Sequence, residues 1–126
     1  MFKRIDHVEI VPSDYERAIS FYCDVFGFAI RQRVPLGLAH IREVVFLELG
    51  DTLLEVLDIV DPEPVGVRVE RVGYRMMALE VDSMDDALAY LSGKGIEPSR
   101  APYPSAGGFR AEVLDPDGLR IEIRQW

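Results

Sequence analysis

The sequence lacks several features that mark particular classes of protein. It has one cysteine, Cys23, so no disulfide can form within the chain, and the helical pattern around it predicts a small buried apolar role. Its apolar runs are far shorter than a membrane-spanning helix requires, and no secretory hydrophobic region follows Met1-Phe2-Lys3-Arg4. These absences predict a soluble, cytoplasmic protein.

Positive charge is also scarce. The 126 residues include 14 Lys and Arg against 22 Asp and Glu, which gives a net charge of −8 at pH 7. This balance opposes binding to nucleic acid and to anionic membranes, because both carry dense negative charge. It permits cationic ligands and divalent metal ions. The expected partner is therefore a small molecule, either a substrate or a drug.

The hydrophobic content of 48% is sufficient for a core, and the length is ordinary for one domain. Each half of the chain carries an alternating strand, an amphipathic helix and three further strands. The predicted strands are 5–11, 28–34, 41–49 and 52–58 in the first half, and 75–81, 97–100, 109–115 and 119–125 in the second. A capping-box signature, Ser13-Asp14-Tyr15-Glu16, opens the first helix, and Asp82 or Ser83 caps the second.

The two halves repeat each other in sequence as well as in pattern. The turn and strand that lead to Glu55 return 67 residues later as the Pro116-Asp117-Gly118 turn and the strand to Glu122. At the same offset Phe46-Leu47 falls on Val113-Leu114 and Pro35 falls on Pro102, while His7 meets Met76 at an offset of 69. A repeat with so little drift predicts two copies of one supersecondary unit. We expect one domain over residues 1–126, with module 1 at about 1–58, a connector at about 59–74 and module 2 at about 75–126.

Alternation along the strands predicts which side chains share a face. In strand 119–125 the apolar residues must face the helix, which leaves Glu122 on the opposite, concave side. The same argument applies to Met76, and the repeat places His7 and Glu55 at the equivalent positions. One histidine and two carboxylates are therefore predicted to share a pocket.

Four stretches of the sequence carry a family resemblance. They are Ile5-Asp6-His7-Val8, the helix end Phe21-Tyr22-Cys23-Asp24-Val25-Phe26-Gly27-Phe28, the strand Ala78-Leu79-Glu80-Val81-Asp82, and Asp115-Pro116-Asp117-Gly118 through Glu122. Together they resemble the vicinal oxygen chelate superfamily, which contains glyoxalase I, methylmalonyl-CoA epimerase, extradiol dioxygenases and bleomycin-resistance proteins. The resemblance implies an α+β fold in which two paired βαβββ modules form an open, incompletely closed β-barrel with a helix on the outer face of each module. It also implies a homodimer, and pairing of modules within one chain or across the dimer stays open.

The resemblance further implies a divalent metal ion (Zn, Ni, Mn, Co or Fe) bound by His7, Glu55 and Glu122. Met76 stands where a second histidine is expected, and its soft thioether does not suit these ions, so we count it as a substrate contact. His40, Tyr103 and Phe109 lie in or beside the loops after Pro35 and Pro102 and are predicted to contact substrate at the cavity mouth. The alternatives are a surface position for the histidine and loop packing for the two aromatic residues.

Two classes of function follow from this set of residues. The first is a lyase or isomerase of the glyoxalase or epimerase kind, in which a metal-stabilised enediolate forms when Glu122 or Glu55 removes a proton next to a carbonyl. Glu122 is the preferred base. The second is a metal-free drug-binding protein of the bleomycin-resistance kind, in which Arg120 or Arg124 takes the place of the cation. An extradiol dioxygenase fits less well, because its iron is usually bound by two histidines and one carboxylate.

Overall fold

The computed structural model describes residues 1–64 and 72–126. The chain divides after Pro64 into two compact units, and each unit contains one four-stranded sheet and one helix. Part of the predicted connector, residues 65–71, lies outside the described residues. The assignment of residues 1–126 to a single domain stays a prediction.

Both units have the predicted order of elements. The first contains β1 (His7–Ile10), α1 (Tyr15–Phe26), β2 (Ala29–Pro35), β3 (Ile41–Leu49) and β4 (Thr52–Ile59). The second contains β5 (Met77–Glu80), α2 (Met84–Gly93), β6 (Arg100–Ser105), β7 (Gly108–Leu114) and β8 (Arg120–Gln125). The strand orders are β1-β4-β3-β2 and β5-β8-β7-β6, with the first strand of each unit parallel to the last and the other neighbours antiparallel. This confirms an α+β fold of two βαβββ units, and neither sheet closes on itself within residues 1–64 or 72–126.

The helix of each unit covers the apolar face of its sheet. In α1 the buried residues recur at helical spacing and include Tyr22, which is fully buried against neighbouring aromatic rings. In β8 the residues Ile121 and Ile123 are buried, as the alternation predicts. Asp14 caps α1 by accepting a hydrogen bond from the Arg17 N–H at 3.0 Å, so the prediction of a Ser13 capping box is wrong by one position.

The strand registers define which residues of the two units are equivalent. Val8 pairs with Leu54 in the first unit, and Met77 pairs with Ile121 in the second. His7 and Met76 each precede these pairs by one residue, so they are equivalent, as the repeat predicts.

The alignment of Phe46 with Val113 is wrong by one residue. Phe46 lies opposite Glu55 in the sheet of the first unit, whereas Glu112 lies opposite Glu122 in that of the second. The reason is turn length: Gly50-Asp51 joins β3 to β4, but the turn before β8 has three residues, Pro116-Asp117-Gly118. The extra residue shifts β7 by one position relative to β3.

The strand β6 is the largest difference from the sequence prediction. We expected a strand at 97–100 and a loop from Pro102 to Gly108, but β6 spans Arg100–Ser105 and joins β7 through a two-residue turn. The turn residues Ala106 and Gly107 have φ angles of 49° and 84°, which suit a tight hairpin. Prolines are tolerated here because β6 is an edge strand and bonds only to β7.

Candidate functional site

The first unit brings a histidine and two glutamates together on one face of its sheet. Glu9 and Glu55 are register partners in the parallel pair β1–β4, and His7 lies two residues before Glu9 on the same face. The His7 Nε2 atom is 3.2 Å from Glu55 Oε2 and 3.4 Å from Glu9 Oε1. One ligand atom from each of these residues lies within 4.8 Å of the others. This group, which we call the His7–Glu9–Glu55 cluster, has the spacing needed to bind one cation.

Two neighbours fix the imidazole in the cluster. Nδ1 of His7 lies 3.0 Å from Asp6 Oδ2, and the ring makes an edge contact with Phe46 at a centroid distance of 6.3 Å. A carboxylate behind the other ring nitrogen is the usual way in which proteins orient a metal-binding histidine. The hydrogen bond with Asp6 is also the main reason that the pKa of His7 is raised, with further contributions from Glu9 and Glu55.

Apart from His7 itself, no basic side chain among residues 1–64 and 72–126 forms an ion pair with the two glutamates of the cluster. Burial raises the pKa of the Glu55 carboxyl, and the nearby charge of Glu9 raises it further. Within the part of the chain that the structure describes, neither carboxylate has an Arg or Lys ion-pair partner. A cation at this position would therefore meet two carboxylates without having to displace another positive group.

Glu9 is a member of this cluster that the sequence analysis did not single out. The signal was present, because Glu9 lies two residues after His7 and so shares its face of β1. Its side chain is 55% exposed, which is the pattern of an ordinary solvent-facing glutamate.

Glu122 lies in a different environment in the second unit. Its Oε2 atom accepts from Nη2 of Arg110 at 2.9 Å, and its Oε1 atom is 3.8 Å from Nη1 of Arg124. The same Arg110 nitrogen donates to Glu112 Oε1 at 3.0 Å. We call Arg110, Glu112, Glu122 and Arg124 the second-unit charge cluster.

The sequence hypothesis that an arginine takes the place of a cation anticipated this cluster in part. Arg124 reaches Glu122, as the hypothesis allowed, but Arg120 is exposed and the shortest contact comes from Arg110. Met76 lies beside the same guanidinium, with its sulfur 3.7 Å from Arg110 Nη2. Arg110 and Glu112 were missed because their approach to Glu122 depends on the register between β7 and β8.

The other predicted substrate contacts belong to different elements of the two units. Tyr103 is the register partner of Arg110, and its ring lies 4.3 Å from the guanidinium carbon of Arg100. Phe109 points to the other face of β7 and lines a cleft of about 350 Å³ beside the start of α2. His40 is exposed in the turn before β3, where its carbonyl oxygen accepts from the Val60 N–H at 3.0 Å. Contact of these residues with a substrate stays a prediction.

Comparison with known proteins gives one family match over nearly the whole chain. Residues 4–123 match the Glyoxalase/Bleomycin resistance protein/Dioxygenase superfamily. The chain belongs to this superfamily. The resemblance seen in the sequence is thereby confirmed over nearly the whole chain, and the fold is that of the superfamily.

Individual relatives agree with this assignment. The uncharacterized protein YwkD of Bacillus subtilis (strain 168) is 34% identical over 98% of this chain and 97% of its own length. The mitochondrial methylmalonyl-CoA epimerase of Mus musculus is 34% identical over 97% of this chain and 72% of its own. The crystal structure of a glyoxalase family protein from Enterococcus faecalis is 27% identical, has a TM-score of 0.86 and covers 98% of both chains. Among the described residues, no helix combines the length and apolar character needed to cross a membrane.

Proposed function

We propose that this protein is a metal-dependent lyase or isomerase that removes a proton next to a carbonyl group of a small metabolite or thioester. Membership of the superfamily and the similarity to a methylmalonyl-CoA epimerase support this class of reaction. The observation that carries the proposal is the His7–Glu9–Glu55 cluster, with its three ligand atoms within 4.8 Å of one another.

The residues of the cluster fit a divalent ion. One imidazole nitrogen and two carboxylates suit Zn, Ni, Mn, Co or Fe, and three protein ligands leave coordination positions for a substrate oxygen. Asp6 holds the imidazole from behind at 3.0 Å. When bound, such an ion supplies a Lewis acid that stabilises negative charge on a carbonyl oxygen. Glu122 was predicted as the third ligand, and that role stays a prediction.

Two glutamates were predicted as the base, and their contacts differ. One oxygen of Glu122 accepts from Arg110 at 2.9 Å, so its lone pairs are directed to a fixed donor. Glu55 has no Arg or Lys ion-pair partner among the described residues, and its side chain is mostly withdrawn from water. We therefore assign proton removal to Glu55 first, with His7 and Glu9 as the residues that would hold the ion while Glu55 acts as the base, and keep Glu122 as the alternative. The C–H bond breaks as the carboxylate takes the proton, and the proton then returns to carbon from the carboxyl group.

A metal titration combined with an exchange assay tests this proposal. We expect wild type to take up one divalent ion, and His7→Gln or Glu55→Gln to lower its affinity about tenfold or more, since one strong ligand contributes at least the ~1.4 kcal/mol of a decade. Deuterium uptake from D₂O next to the carbonyl of an acyl thioester, followed by mass spectrometry, reports the chemistry. Glu48→Gln is the control, because Glu48 is an exposed residue of β3 outside the cluster. Equal metal uptake by wild type and both cluster variants would contradict the proposal.

One observation favours a second function. The pairing of Arg110 with Glu122 means that the second unit already contains a cation of its own, which suits a metal-free binding protein of the bleomycin-resistance kind. A thermal-shift panel separates the two functions. Stabilisation by bleomycin-like compounds and not by divalent metals would favour the binding protein, and the reverse result would favour the enzyme.

A further inference from the structure

We infer that Arg110 is a built-in cation that keeps Glu122 out of the metal site, so that the first unit alone binds the metal ion. The inference rests in part on the proposed function, because it concerns the same ion. It starts from one nitrogen atom, Arg110 Nη2, which lies 2.9 Å from a Glu122 oxygen, 3.0 Å from a Glu112 oxygen and 3.7 Å from the Met76 sulfur.

This nitrogen occupies the place in the second unit that a cation would take. Met76 is equivalent in register to His7, and Glu122 is equivalent to Glu55. Arg110 Nη2 contacts both Met76 and Glu122. Because it lies within 3.0 Å of an oxygen from each of two carboxylates, a metal ion in its position would reach the same two oxygens.

Within residues 1–64, which the structure describes in full, no Arg or Lys side chain pairs with Glu9 or Glu55. The register places Val44 and Phe46 where the second unit has Arg110 and Glu112. These apolar side chains contribute no charge, and the ring of Phe46 contacts the imidazole of His7 instead. The same strand face is therefore left negatively charged in one unit and neutralised in the other.

The charges decide which unit a divalent ion enters. In the second-unit charge cluster two carboxylates face two guanidinium groups, so the formal charge is zero. The side chains of Arg110, Glu112 and Glu122 are 17%, 5% and 15% exposed, and charges this far from water are weakly screened. An ion entering here would have to displace the partly buried guanidinium of Arg110 and would meet a soft sulfur. In the first unit it meets two carboxylates and an imidazole with no competing arginine.

Isothermal titration with Zn²⁺ and Ni²⁺ on a set of full-length variants tests the inference. We expect Glu122→Gln to leave the affinity of wild type unchanged within about twofold. We expect Arg110→Gln to gain a second site, at least about tenfold tighter than any second binding by wild type, because the two glutamates lose their cation. Adding Glu122→Gln to Arg110→Gln should abolish that gain. Arg100→Gln is the matched control, because Arg100 lies on the neighbouring strand but is 53% exposed and 3.8 Å from Glu112.

Two results would overturn the inference. One is a loss of wild-type affinity in Glu122→Gln as large as that in Glu55→Gln, which would make Glu122 a ligand. The other is no new uptake in Arg110→Gln. If Arg110→Gln does not fold, the double variant Arg110→Gln/Glu112→Gln removes one positive and one negative charge. Its metal titration then tests the same inference. Failure of the proposed function is distinct, because it appears as no uptake by wild type. Even then a Glu122-dependent gain in Arg110→Gln would show that Arg110 keeps an ion away from Glu122, and no gain would overturn that part of the inference as well.

Discussion

Among the glycines that the structure describes, Gly108 is the one where an added methyl group meets backbone atoms. A Cβ atom built there would overlap the carbonyl oxygen of Gln125 and lie 2.9 Å from the Cα of Trp126. Both are backbone atoms at the end of β8, so no side-chain rotation can relieve the clash. The change Gly108→Ala must therefore push β7 away from β8 beside Arg110.

The loss in the free energy of unfolding follows from overpacking at a position where the neighbouring backbone cannot move aside. Adding a methyl group to a well-packed site costs about 1–3 kcal/mol, and a backbone clash belongs at the upper end of that range. For a domain of this size about 3 kcal/mol lowers the melting temperature by about 10 °C. Gly93→Ala is the matched control, because Gly93 lies in α2 with a helical backbone and no atom within 4 Å of the added Cβ. It should stabilise the protein by about 0.5 kcal/mol.

Urea unfolding followed by circular dichroism measures both variants on the same scale. We expect the two midpoints to move in opposite directions from wild type, with the larger shift in Gly108→Ala. A Gly108→Ala protein as stable as Gly93→Ala would refute the close approach of β7 and β8 at this point.

Two further predictions concern the turn before β8 and the single cysteine. Oδ1 of Asp115 accepts from the N–H groups of Asp117 at 2.9 Å and Leu119 at 2.8 Å, so Asp115→Ala should cost about 2 kcal/mol in urea unfolding; an unchanged midpoint would contradict it. Burial raises the pKa of the Cys23 thiol. At pH 8 the folded protein therefore holds less thiolate than the unfolded chain, and iodoacetamide should alkylate Cys23 more slowly in the folded protein. This rate should rise with pH. Equal rates in folded and urea-unfolded protein would rule this out.

Most of the fold could be predicted because its signals are local or repeated. Helical spacing, the glycine that ends α1 and the alternation in β8 each depend on a few neighbouring residues. The strand β6 could not be predicted in the same way, since Pro102 and Pro104 argue against a strand unless that strand is known to lie at an edge. Edge position is a property of the whole sheet, which a local pattern does not contain.

The candidate site could be predicted only where the pattern within single strands was sufficient to place a side chain on a face of the sheet. Alternation and the repeat selected His7 and Glu55, which the structure places 3.2 Å apart. The partners of Glu122 come from β7, and their identity depends on the register between β7 and β8. One extra residue in the preceding turn places Glu112, and not Val113, opposite Glu122. A single-residue error in register therefore replaces a charged neighbour with an apolar one and hides the role of Arg110.

The two sheets have the same strand order, but the charge of their glutamates is compensated differently. In the second unit the positive charge beside Glu122 is the side chain of Arg110. Glu122 is therefore neutralised whether or not a ligand is bound. In the first unit Glu9 and Glu55 are register partners, and neither pairs with an arginine of the described part of the chain. A bound ion that neutralises them would stabilise the folded state by mass action. The first unit should therefore respond to metal concentration while the second does not. A chain divided in this way can retain a folded second sheet whether or not an ion is bound to the first.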